Sequence, residues 1–197
     1  MIGAISDGLT PAGTRWAGLL AAARRYSLAA LGPFTIAGAH FAASVLFLKL
    51  MPPAAFGLFA FVLVAVPFWL SLSVALLGAP LATTCQRHPD TDPWRELPTL
   101  LKANLLFSAA AMIAVALAAA ASGAAAATAV LFGLYGGVMC VRWFARWLSY
   151  ATHHPIRAVL SDVAYGVFLV AGLAALAVLH VVSLANAAAV LCVAAGA

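Results

Sequence analysis

The sequence predicts an all-α integral membrane protein, a bundle of five to six transmembrane helices. Three observations point there. Of 197 residues, 66% are hydrophobic and only 8% charged, where an average soluble domain carries about 25% charged residues. The mean hydropathy is +1.10, too apolar for a water-facing surface. Apolar runs close to the ~20 residues that a spanning helix needs recur along the chain, with basic residues at alternate ends.

The N-terminal segment, 1–26, carries Asp7, Arg15, Arg24 and Arg25 and reads as a cytoplasmic flank. The charges interrupt any signal-peptide pattern, and the run that follows is long enough to span. The first span is expected at about 27–48, stopped by the prolines of "KLMPPAAFG", which cannot continue a helix. The second, about 54–82, contains Pro67, which a membrane helix tolerates as a kink. "QRHPDTDPWRELP" (86–98) then reads as an aqueous loop, rich in proline and charge. The third and fourth spans fall at about 103–121 and 124–141, joined by the uncharged turn in "ASGAAAAT" (121–128). The fifth lies at about 159–182. The last stretch, 184–197, has room only for an incomplete sixth helix. A chain that stops there predicts a fragment of a longer protein or a truncated reading frame.

Nine of the ten basic residues flank one set of helix ends, and Lys49 stands alone at the other. By the positive-inside rule the N-terminus is cytoplasmic. The same placement accounts for the pI of about 9.6 without nucleic acid. Cys85, Cys140 and Cys192 have no metal-ligand spacing, and neither a metal nor a cofactor is expected. With five acidic residues in the whole chain, no Gly-rich phosphate loop and no carboxylate pair within the spans, an enzyme is not expected either.

The informative stretch is "VRWFARWLSYATHHPIRAVLSDVAYG" (141–166), which gathers three arginines, two histidines and an aspartate in a nearly uncharged chain. Arg142 and Arg146 are four apart and share a helix face, extended by Tyr150. Two readings follow. In one, the arginines snorkel to the membrane surface while Trp143 and Trp147 mark the headgroup belt. In the other, they turn into the bundle and line a cationic vestibule, where guanidinium groups bind phosphate through paired hydrogen bonds. Pro155 suits the first turn of a helix. Asp162, two turns on, faces protein and needs a partner. Arg142, Arg146 and Arg157 are its candidates. A structural clamp between the fourth and fifth helices is its first role, a coupling carboxylate its second. Arg24 and Arg25 read as topology signals, with the cytoplasmic mouth of a cavity as the alternative. His153 and His154 are adjacent and point to different faces, against a metal site. His40 and Asn104, inside spans, are expected to make interhelical hydrogen bonds.

"KLMPPAAFGLFAFVLVAVPFWLSL" (49–72), with its Leu/Pro turn and Phe56–Gly57 pair, together with "VRWFARWLSYA" (141–151) and "PIRAVLSDVAY" (155–165), resembles the N-terminal half of Wzx-type lipid-linked oligosaccharide flippases. These belong to the multidrug/oligosaccharidyl-lipid/polysaccharide exporter superfamily. The resemblance covers residues 24 to 185. It implies one lobe of a two-lobe bundle around a cationic cavity in a bacterial inner membrane, with alternating access that moves an undecaprenyl-pyrophosphate-linked sugar outward. Arg142 and Arg146 match basic positions of the family's fourth helix, and Asp162 and Tyr165 match its fifth-helix motif. The implied partners are the lipid-linked oligosaccharide, membrane lipids, and a second lobe or another copy of the chain. A non-transporting membrane scaffold of an exopolysaccharide assembly complex is the alternative expectation.

Overall fold

The computed structural model describes residues 12–80, 83, 93–152 and 154–197, with side chains for Ser27, 30–80, 83, 97–152 and 154–197. Among these, six α-helices account for the fold and there is no strand. They are α1 (Ala12–Leu50), α2 (Pro53–Ser73, continued by a π-helical turn, Val74–Gly78), α3 (Pro93–Ala121), α4 (Ala126–Ala151), α5 (Pro155–Val178) and α6 (Leu184–Gly196). Five contain segments long and apolar enough to cross a bilayer: Ala30–Leu50, Pro53–Gly78, Leu97–Ala121, Ala126–Ala151 and Pro155–Val178. The chain is therefore a multi-pass helical membrane protein. Many large apolar side chains, among them Phe34, Val64, Leu106 and Val178, point outward, as lipid-facing residues must.

Several helix ends depart from the sequence expectation. Helix α3 already includes Pro93 and Pro98, inside the stretch expected to be loop. Helix α4 runs ten residues past position 141 to Ala151. The apolar run stops at Arg142, but the helix does not, because its arginines find partners inside the bundle. Helix α5 starts at Pro155 and stops at Val178, each four residues earlier than expected. Its end is a Schellman turn: His180 takes φ 56°, the Val181 N–H donates to Leu176 O at 3.1 Å and the His180 N–H to Ala177 O at 3.2 Å. Ser183 caps α6, accepting from the Asn186 N–H at 3.1 Å.

Helix α4 is the axis of the bundle. It touches α2, α3, α5 and α6, and 56% of its span is buried against 22–33% for the other four. Small residues make this packing close. A Cβ on Gly133 would stand 2.5 Å from Met112 O of α3, and one on Gly137 would stand 3.2 Å from Ser108 O. The pair forms a G-x-x-x-G face that lets the two backbones meet. Helix α1 docks lengthwise on α5 rather than on α2, its neighbour in sequence. Gly166 makes room there for Thr35. Helix α6 bridges α4 and α5. Where α1 and α2 diverge, a cleft opens with α4 as its floor.

Candidate functional site

The charged residues of 141–166 meet inside the bundle. On α4, Arg142 and Arg146 are one helical turn apart, so both reach the same side of the helix. Helix α5 runs back beside α4 and presents Asp162 to them. Its carboxylate Oδ1 lies 3.4 Å from an amino nitrogen of Arg142, and Oδ2 lies 3.1 Å from Nε of Arg146. The side chains are 9%, 11% and 3% exposed for Arg142, Arg146 and Asp162. The second contact is an ion pair by distance, but its N–H is not aimed at the oxygen, so Nε and Oδ2 form no hydrogen bond. The snorkelling reading fails in this geometry: the guanidinium groups point into the bundle. Two positive charges face one negative charge, which leaves one positive charge in excess within a largely buried cluster.

Further contacts fix the two arginines. Arg142 donates from Nε to Ser161 Oγ at 3.0 Å and from an amino nitrogen to the Ser161 carbonyl, and its guanidinium lies 4.7 Å from the centre of the Tyr165 ring. Arg146 sits between Trp143 and Tyr150, at 4.5 and 5.7 Å from their ring centres. Rings on which a cation rests replace part of its lost hydration. From α1, Gly32 approaches Asp162 so closely that a Cβ there would collide with the carboxylate. The absence of a side chain at position 32 is what admits the ion cluster between α1, α4 and α5.

From this cluster a line of hydrogen bonds runs deeper into the span. The hydroxyl of Tyr165 is 2.6 Å from Nε2 of His40 and 3.0 Å from the hydroxyl of Tyr135. His40 lines the cleft between α1, α2 and α4, a cavity of about 310 Å³ whose walls are otherwise mostly apolar. The arginines are not among its lining residues: ion cluster and cleft are neighbouring but separate features.

Of the residues expected to form a site, Arg142, Arg146, Asp162 and Tyr165 come together. Arg157 is exposed and stands apart. The side chains of Arg24 and Arg25, and all of His153, lie outside the described residues. His154 hydrogen-bonds locally, Nδ1 to Thr152 O at 2.6 Å. His40 makes the interhelical bond expected of it, but Asn104 does not. It is fully buried on α3 with neither amide atom paired, and Ser108 one turn on is unpaired as well. The buried face of α4 opposite α3 is largely glycine and apolar side chains, which offer Asn104 no donor or acceptor. The residue reading missed Tyr135, Ser161 and Gly32. Only Tyr135 left a signal: a tyrosine in the apolar run "LFGLYGG" must find its hydroxyl a partner when buried.

No family model, no curated protein and no solved structure matches the chain.

Proposed function

We propose that the chain is one lobe of a flippase that carries an undecaprenyl-pyrophosphate-linked oligosaccharide across a bacterial inner membrane, with its N-terminus in the cytoplasm. The observation that supports this most is the buried arginine pair held by a single carboxylate. A pyrophosphate cannot enter hydrocarbon without compensation for its charge. The excess positive charge of the cluster supplies that compensation. The amino nitrogens of Arg146 have no partner among the described residues, and a guanidinium fork matches phosphate oxygens two at a time. Asp162 holds the arginines in place until the substrate arrives, and the lipid phosphate then joins it. The resemblance of 49–72, 141–151 and 155–165 to Wzx-type flippase segments points to the same reading.

The test is export. In cells that depend on this protein to export polysaccharide, Arg146→Ala and Arg146→Lys both abolish export while membrane insertion stays normal. The lysine variant keeps the charge and loses the fork. The purified wild type in nanodiscs binds undecaprenyl pyrophosphate saturably, and Arg146→Ala does not. Normal export and binding in both variants would remove the assignment.

One observation favours a second reading, a non-transporting scaffold in polysaccharide assembly: Asp162 already engages both arginines, as a clamp between helices would. Replacing a buried ion cluster by apolar residues is often neutral for stability. The triple variant Arg142→Leu/Arg146→Leu/Asp162→Leu therefore separates the two. A scaffold keeps its function in that variant, and a flippase loses it.

A further inference from the structure

We infer that the cleft between α1 and α2 is a binding site for an uncharged, lipid-soluble ligand with a ring carbonyl, a quinone-type head, which accepts a hydrogen bond from Nδ1 of His40.

The direction of the hydrogen bonds identifies the donor. Tyr135 and Tyr165 are both fully buried, and their hydroxyls contact each other and, through Tyr165, Nε2 of His40. If the imidazole donated from Nε2, Tyr165 would pass its proton to Tyr135, and the Tyr135 O–H would have no acceptor among the described residues. A buried unpaired donor is costly. In the reverse direction both hydroxyl protons are used, Tyr135 donating to Tyr165 and Tyr165 to Nε2, and the one donor left over sits on His40, which is only partly buried. The neutral ring then carries its hydrogen on Nδ1. That atom has no partner among the described residues, and His40 lines the cleft. The cleft therefore holds an N–H donor that calls for an acceptor.

The surroundings narrow the class of ligand. The cavity measures about 310 Å³, at the small end of ligand sites, which are mostly apolar with a few placed polar groups. Its buried lining is Ile36, Val66, Leu70, Tyr135 and Met139, and no charged side chain lines it. Pro33, Ala37, Pro67 and Ser71 form an exposed rim, on the outer side of two membrane-length helices, so entry is from lipid. The Ser71 hydroxyl is already engaged with Pro67 O at 3.0 Å. Depth decides the rest. His40 is ten residues from Leu50, the far end of α1, about 15 Å at 1.5 Å per residue, which is deep within a hydrocarbon core ~30 Å thick. The ester carbonyls of ordinary phospholipids stay at the interface. A carbonyl that reaches this depth belongs to a neutral lipid, and the ring side chains of His40, Tyr135 and Trp143 with two rigid prolines suit a flat head better than a flexible chain. This inference stands whether or not the chain moves a lipid-linked sugar.

The experiment uses the full chain in nanodiscs with menadione, a naphthoquinone, as probe and quenching of tryptophan fluorescence as readout. Trp143 lines the cleft, so the wild type shows saturable quenching above the linear quenching due to partition into lipid, and Trp143→Phe lacks the saturable part. His40→Phe binds roughly tenfold more weakly, as expected for one lost hydrogen bond, and His40→Gln, which keeps an N–H donor, recovers part of the loss. Ala37→Leu, an exposed rim substitution that leaves every hydrogen bond in place, fills the entrance and abolishes saturation. Linear quenching in the wild type, or unchanged saturation in Ala37→Leu, would overturn the proposal.

Discussion

Asp162 is the residue on which the ion cluster between α1, α4 and α5 turns. It is the single acid among the described side chains of the spans, and two guanidinium groups depend on it. Asparagine at this position keeps the shape and removes the charge, leaving both arginines buried without a counter-ion. Breaking a buried ion pair in this one-sided way costs about 3–5 kcal/mol. The expected outcome for Asp162→Asn is a large fall in the thermal midpoint in detergent, read by loss of helical circular dichroism or by aggregation, whereas the apolar triple variant stays near the wild type. The cluster was legible in the sequence because charge is so rare in this chain that six polar groups within 26 residues stand out. Tyr135 and Gly32 were not legible as parts of the same assembly. A tyrosine and a glycine are ordinary in membrane helices, and what distinguishes these two is a neighbour 30 residues away in one case and 130 in the other.

At the scale of helices, close approach depends on positions without side chains. Gly32 is the most exacting, because a methyl group there would occupy the space of the Asp162 carboxylate. Gly32→Ala should therefore be costliest while the carboxylate is present. In a double-mutant cycle against an Arg142→Leu/Arg146→Leu/Asp162→Ala background, the penalty of Gly32→Ala shrinks to that of a tight Cβ–Cβ contact at 3.3 Å, with a coupling of at least about 1 kcal/mol. Equal penalties in both backgrounds would show that α1 does not seat on α5 at this point. The number and order of the helices followed from apolar runs of spanning length, since no other arrangement hides so many consecutive apolar residues from water. Their ends followed less well. A rule that stops a span at the first charge stops α4 at Arg142, although the charge is carried onward by a partner on another helix. A rule that reads proline as loop misses the part of α3 that holds Pro93 and Pro98.

For the whole molecule, five crossings place successive connections on opposite sides of the membrane. The turn at Ser122–Ala125, with Gly123 at φ 93°, and His154 at the start of α5 are then separated by one crossing, α4. With the N-terminus in the cytoplasm, as proposed, Ser122→Cys in a cysteine-free background should react with a membrane-impermeant maleimide from outside the cell, and His154→Cys only after permeabilisation. Labelling of both from one side would remove the crossing by α4. The docking of α1 on α5 also governs how the protein is made. His40 meets Tyr165 across 125 residues of chain, a length that a ribosome takes on the order of ten seconds to synthesise. Throughout that interval the first helix resides in the bilayer with its imidazole and its small-residue face uncovered. A nascent chain released before the fifth helix emerges strands that surface, presenting a membrane protease or an insertion chaperone with a mark of unfinished assembly.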